Sequence, residues 1–172
     1  MPTGELNLFY GPIERLRQTV AATPAFQTLI EAAGSPAEKL TAALAAVYPI
    51  GLAGSEVDAA RPFAEVDAGG EFEVRKHGSN GRVSGGTLWL LIEADVPADK
   101  KDGYADAAKW FYEIFGDLIS DLLDDSITTD PARYNLAVRS ISLPYGPPSR
   151  EDPKAKRGDY YQGILTVEWG LR

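Results

Sequence analysis

The residues from Asp159 to Gly170 alternate without a break. Tyr161, Leu165, Val167 and Trp169 fall on one parity, and Gln162, Thr166 and Glu168 on the other. Successive side chains of a strand point to opposite faces. A period-two run rich in aromatic and β-branched residues therefore predicts a strand buried on one face. Its place predicts a chain that finishes inside a sheet with no free tail. The long polar segment in front of it predicts a protein that works by contact and not by chemistry.

The remaining elements are legible from spacing and punctuation. Residues 1–12 carry little pattern and are expected to be partly mobile. Ile13, Leu16 and Val20 predict a helix of two or three turns. Thr23-Pro24 restarts it as cap and first helical residue, with Phe26, Leu29, Ile30 and Ala33 on one face and Gly34 as the stop. Ser35 followed by Glu38 forms a capping-box pattern, and Leu40, Ala43, Leu44 and Val47 give the next apolar face. Residues 50–60 read as a connection. Residues 62–68 and 87–94 are strands, extended by Phe72, Val74 and Val83 into a long hairpin with 78–81 at its tip. Leu88, Leu90 and Ile92 face one way and Trp89 and Leu91 the other, which predicts a central strand covered on both faces.

Tyr104 to Leu123 is the clearest helix, with a wide apolar face running from Ala107 through Phe111 and Phe115 to Leu122. Residues 136–143 alternate again, with Leu136 and Val138 on one side and Ala137, Ile141 and Leu143 on the other. The expected fold class is α+β: one domain over residues 1–172, with a mostly antiparallel sheet of about four strands. One long helix packs on that sheet, and extra helices precede it.

Composition narrows the functional classes. The chain has no cysteine, so it holds no disulfide and no thiolate metal site, which fits a reducing interior. No apolar run is long enough for a membrane helix, and no signal peptide is evident. A formal net charge of -8 argues against gripping nucleic acid through its phosphates.

Catalytic and metal-binding patterns are weak. The single histidine, His77, is expected to be exposed at a loop tip without a catalytic role. The acidic row Asp106, Glu113, Asp117, Asp121 and Asp124 reads as a solvated helix face, because one straight helix cannot wrap a cation. The glycine-rich stretch at 78–86 lacks any phosphate-binding spacing and reads as a flexible hairpin. No cofactor is expected. Residues 144–158 are different: four prolines stiffen the loop, so ordering it on a partner loses less entropy. The candidate subunit or partner interface comprises Arg75, Lys76 and Arg82 on the hairpin, with Tyr145, Arg150, Lys154, Lys156 and Arg157 on this arm.

Several strings, taken in order, carry a family resemblance. They are Arg61-Pro62-Phe63-Ala64, Thr87-Leu88-Trp89-Leu90-Leu91-Ile92-Glu93 and Ala108-Lys109-Trp110-Phe111. Tyr145-Gly146-Pro147-Pro148, Asp159-Tyr160-Tyr161-Gln162 and Val167-Glu168-Trp169-Gly170 complete the set. With these, most of the chain resembles the tail-terminator, or tail-completion, proteins of long-tailed phages. The resemblance implies a small α+β subunit that assembles into a six-membered ring. Such a ring caps the growing tail tube, stops its polymerisation and joins the tail to the head connector. It implies no catalytic residues. The implied partners are other copies of the chain, the tail-tube protein and the head-tail connector protein, with DNA only a passing cargo and no membrane. The implied place is the virion neck, after assembly in the bacterial host cytoplasm. Two rivals stand beside it: a head-tail connector of the same virion, and a cytoplasmic α+β enzyme or small-ligand binder.

Overall fold

The computed structural model describes residues 10–49, 61–77, 80–100, 104–123, 134–145 and 160–171. Helix α1, Tyr10–Ala22, starts earlier than its apolar spacing predicts, and buries Ile13, Leu16 and Val20. Tyr10 to Pro12, expected to lack pattern, form its first turn, and residues 1–9 lie outside the described residues. Thr23 then caps α2, Pro24–Leu29, as predicted: its hydroxyl accepts from the Phe26 N–H and donates to the Val20 carbonyl at 2.7 Å.

Helix α2 stops before the predicted Gly34. Glu31 takes the left-handed conformation at φ 54, and the N–H groups of Glu31 and Ala32 bond back to the carbonyls of Thr28 and Gln27 at 3.0 and 2.9 Å. That pairing is a Schellman closure with glutamate where glycine is usual. The early stop frees residues 30–34 to reverse the chain, so that the next helix packs on α1 and α2.

The next helix, α3, is Pro36–Ala45, and its capping box is present in full. The Ser35 N–H donates to the Glu38 carboxylate at 2.8 Å and the Ser35 hydroxyl does so at 2.7 Å. The backbone bond first, then the hydroxyl bond, hold the Glu38 carboxyl below its ordinary range. Val47, expected on the apolar face of this helix, belongs instead to strand β1, Val47–Pro49. Arg17 of α1 ties the junction together: its guanidinium donates to the carbonyls of Leu44 and Val47 at 3.1 and 2.9 Å. These bonds hold the end of α3 and the start of β1 against α1.

Five strands form one sheet in the order β1-β2-β3-β5-β4, where β2 is Phe63–His77, β3 Asn80–Asp95, β4 Tyr134–Tyr145 and β5 Tyr160–Leu171. The expected count of about four is corrected to five by β1, which runs parallel to β2 on the edge and makes the sheet mixed. A three-residue strand ending in Pro49 is tolerated there, because an edge needs hydrogen bonds on one side only. The predicted hairpins β2–β3 and β4–β5 are both antiparallel, and β3 pairs with β5.

Helix α4, Tyr104–Leu123, links β3 to β4 and lies on the sheet face that also carries α1. Ala107, Phe111, Phe115 and Leu118 are buried, and the Phe111 ring stacks on Phe115 and on Tyr161 of β5 with centroids 5.8 and 5.5 Å away. The contact is close enough to require glycine in the strand. A Cβ at Gly163 would lie 2.5 Å from the Phe115 ring. The alternation in β5 is as predicted: Tyr161, Leu165, Val167 and Trp169 are all buried in the shared core. Among the described residues, no helix is long and apolar enough to cross a membrane.

Candidate interaction surfaces

Strand register relates the predicted basic residues of the hairpin to one another. Arg75 pairs directly with Arg82, Lys76 with Gly81, and His77 with Asn80. His77 is therefore the last residue of a strand and not part of a loop. The ladder between β3 and β5 ends at Gly85↔Gly170, so Val74↔Val83 and every pair beyond it belong to a two-stranded ribbon. At about 3.3 Å per residue, Asn80 stands about 17 Å past that last sheet row.

Tyr145, also predicted, lies far from them. It pairs with Gln162 at the opposite end of the sheet, about 26 Å from the Gly85↔Gly170 row at the same rise per residue. Strand β4 ends at Tyr145 and β5 begins at Tyr160. Arg150, Lys154, Lys156 and Arg157 lie outside the described residues, as do the 50–60 connection and Asp124. Register thus sets Arg75 opposite Arg82, with Lys76 on the other parity of its strand, at the end of the sheet far from Tyr145.

A surface that the sequence reading missed lies between these ends. The helices α1 and α4 both cover the face that carries Leu88, Leu90 and Ile92, while Trp89 on the other face is 50% exposed. Among the described residues the central strand is covered by helices on one face only, where two covered faces were expected. Register carries the outer face across the sheet. Asp67, Trp89, Thr166 and Ser140 form one row, and Glu65, Leu91, Ile164 and Ser142 the next. Glu93 and Asp95 continue it along β3. Arg61 donates to Glu93 at 2.8 Å, reaches Asp95 at 3.8 Å and lies over the Tyr160 ring at 3.9 Å. Arg139 donates to Glu168 at 2.6 Å. Asp67 stands directly beside Trp89 and Glu65 and Glu168 one row away, with Arg139 on Glu168, while Glu93 and Asp95, with Arg61, lie about 13 and 20 Å further along β3 at the same rise per residue. The polar parity of β5, Gln162, Thr166 and Glu168, was the available signal that this face is not core.

A bulge changes the reading of β4. The register slips between Val138 and Ser140, and Ile141 ends up opposite Leu165. Directly opposed residues share a face, so Ile141 joins Leu136 and Val138 and not Ala137. It remains 47% exposed at the sheet edge.

The acidic row of α4 divides by role. Asp106, Glu113 and Asp117 are exposed, as expected, but Asp121 accepts the Ala25 N–H at 2.8 Å and so caps α2 from another helix. Two small gaps lie in the helix–sheet packing. One, between Phe26, Leu29, Phe111 and Phe115, has no room for a water; the other, between Leu16, Leu122, Val138 and Val167, has about 10 Å³, space for about one.

No protein-family model matches this chain, and no curated protein is similar to it in sequence.

Proposed function

We propose that this chain is a structural protein of a phage virion, a tail terminator that forms a hexameric ring at the head-proximal end of the tail tube. It ends tube polymerisation there and joins the tail to the head connector. It acts by assembly, without a catalytic residue or cofactor, and passes DNA through without holding it. The ordered strings from Arg61-Pro62-Phe63-Ala64 to Val167-Glu168-Trp169-Gly170 support the family.

One structural observation carries most weight. The sheet differs at its two ends: beyond Gly85 a two-stranded ribbon in which Arg75 pairs with Arg82, and at the other end Tyr145 and Tyr160, the residues that bracket the Pro-rich segment of the sequence. A subunit between a tube below and a connector above needs two unlike ends, whereas an enzyme needs one concave site. The net charge of -8 suits a lumen through which DNA slides.

Electron micrographs and native mass spectra of the purified protein, followed by its addition to polymerising tail-tube subunits, test the proposal. Rings with a central hole that shorten the tubes and sit on one end are the expected result. Rings that leave tube length unchanged would place the protein in the neighbouring connector. A monomer at every concentration would overturn both.

A further inference from the structure

The register of the long hairpin breaks twice, once in each strand. From Ala68 to Phe72, β2 takes four steps while β3 takes two, from Leu88 to Gly86. From Glu73 to Val74, β2 takes one step while β3 takes two, from Gly85 to Val83. Gly69, Gly70 and Ser84 are therefore surplus: without them, the rows from Ala68↔Leu88 to Val74↔Val83 would follow one another unbroken. A bulge leaves its extra residue out of the ladder and bends its strand.

Glycine is required at the first break. A Cβ at Gly69 would lie 2.8 Å from the carbonyl oxygen of Thr87 and 2.9 Å from its carbonyl carbon. Backbone thus arches onto backbone, which no residue with a side chain allows without a shift. The facing rows hold Gly86 and Gly85, and glycine in a strand marks such bends.

The breaks also sit where neighbouring strands stop. Strand β1 pairs with β2 only from Ala64 to Val66, and β5 pairs with β3 no farther than Gly85↔Gly170. Ser84 is the first residue of β3 beyond β5. Among the described residues no third strand runs beside the pairs from Val74↔Val83 to His77↔Asn80, so a bend at Ser84 breaks no bond to β5. The two register breaks of β4 differ: both surpluses lie in β4, and its partner β5 stays in unbroken register with β3.

We infer that the paired breaks form a hinge: the two-stranded ribbon beyond Val74↔Val83 swings relative to the five-stranded body, with Ser84 as the pivot of β3 and Gly69-Gly70 as the slack of β2. A few positions that absorb the backbone change are enough for such a joint. It gives the subunit one element that re-aims while the sheet stays fixed. The hinge goes beyond the ring reading and does not depend on it.

The absence of native cysteine makes spin labelling site-specific. Pulsed electron spin resonance on the full chain compares two label pairs. Asn80→Cys with Lys109→Cys spans ribbon and body, and Ser140→Cys with Lys109→Cys lies within the body, at exposed positions. The ribbon pair should give a distance distribution about twice as wide as the body pair. Removal of Gly69, Gly70 and Ser84 together should narrow it to the width of the body pair. Gly69→Ala should displace its centre, since the arch over Thr87 cannot hold a Cβ. Equal widths for the two wild-type pairs would overturn the hinge, whether or not the deletion variant folds. A ribbon width that survives the deletion would overturn it too, by placing the motion in the ribbon itself. A wild-type monomer that passes these tests would overturn the ring reading and leave the hinge standing.

Discussion

Glu31 shows how a single residue can carry a conformation ill suited to it. The Schellman closure of α2 puts it at φ 54, where a side chain costs about 1 kcal/mol or more relative to glycine. The closure holds because two backbone hydrogen bonds and the packing of α3 behind it fix the turn. Glu31→Gly should therefore stabilise the protein by about 0.5–1 kcal/mol, after allowing for the greater freedom of glycine in the unfolded chain. A urea midpoint that shifts upward at constant slope checks this. An unchanged or lower midpoint would mean that the Glu31 side chain contributes more than its backbone strain. Gly163 is the converse case: there the absence of a side chain admits the Phe115 ring and lets α4 approach β5.

At the scale of elements, α4 does two jobs with two faces. Its apolar face packs Phe111 and Phe115 on the sheet, and Asp121 at its far end caps α2, so the helix organises both the sheet and the preceding helices. Gly116, in the middle of the same helix, is exposed, and a Cβ there would meet nothing within 4 Å. Glycine inside a helix is about 0.5–1 kcal/mol less favourable than alanine. Gly116→Ala should raise the stability of the subunit by that amount in chemical denaturation. A loss of stability would instead mean that this helix face packs tightly against something.

For the whole molecule, two electrostatic effects oppose each other. Subunits of charge -8 repel, while any opposite charges brought close where the proposed ring closes attract at short range. Their ranges decide which wins. At about 0.15 M salt the screening length is about 8 Å, so repulsion between whole subunits has largely gone while close pairs persist; at about 1 M, a length of about 3 Å weakens the pairs as well. Ring formation should therefore be greatest near about 0.15 M and fall toward both about 0.02 and 1 M. Sedimentation at these three concentrations checks it. A steady rise with salt would assign the contact to apolar burial alone.

Local signals determined much of this protein. Apolar spacing located α1 and α4, cap chemistry located the starts of α2 and α3, and alternation with turn residues located both hairpins, because each depends on residues only two to four positions apart. The pairing of Arg75 with Arg82 was legible for the same reason: a hairpin brings near neighbours together. Tertiary structure alone decided the rest. Alternation in β3 says that its two faces differ, but only the position of α1 and α4 says which one is left bare at Trp89. Val47 could extend a helix or start a strand, and pairing with Ala64 on β2 settled it. A one-residue bulge turned Ile141 to the opposite face, and the strand order placed the ribbon and Tyr145 at opposite ends of the sheet. Each of these depends on a partner distant in the chain, and no short window of sequence contains both members of such a pair.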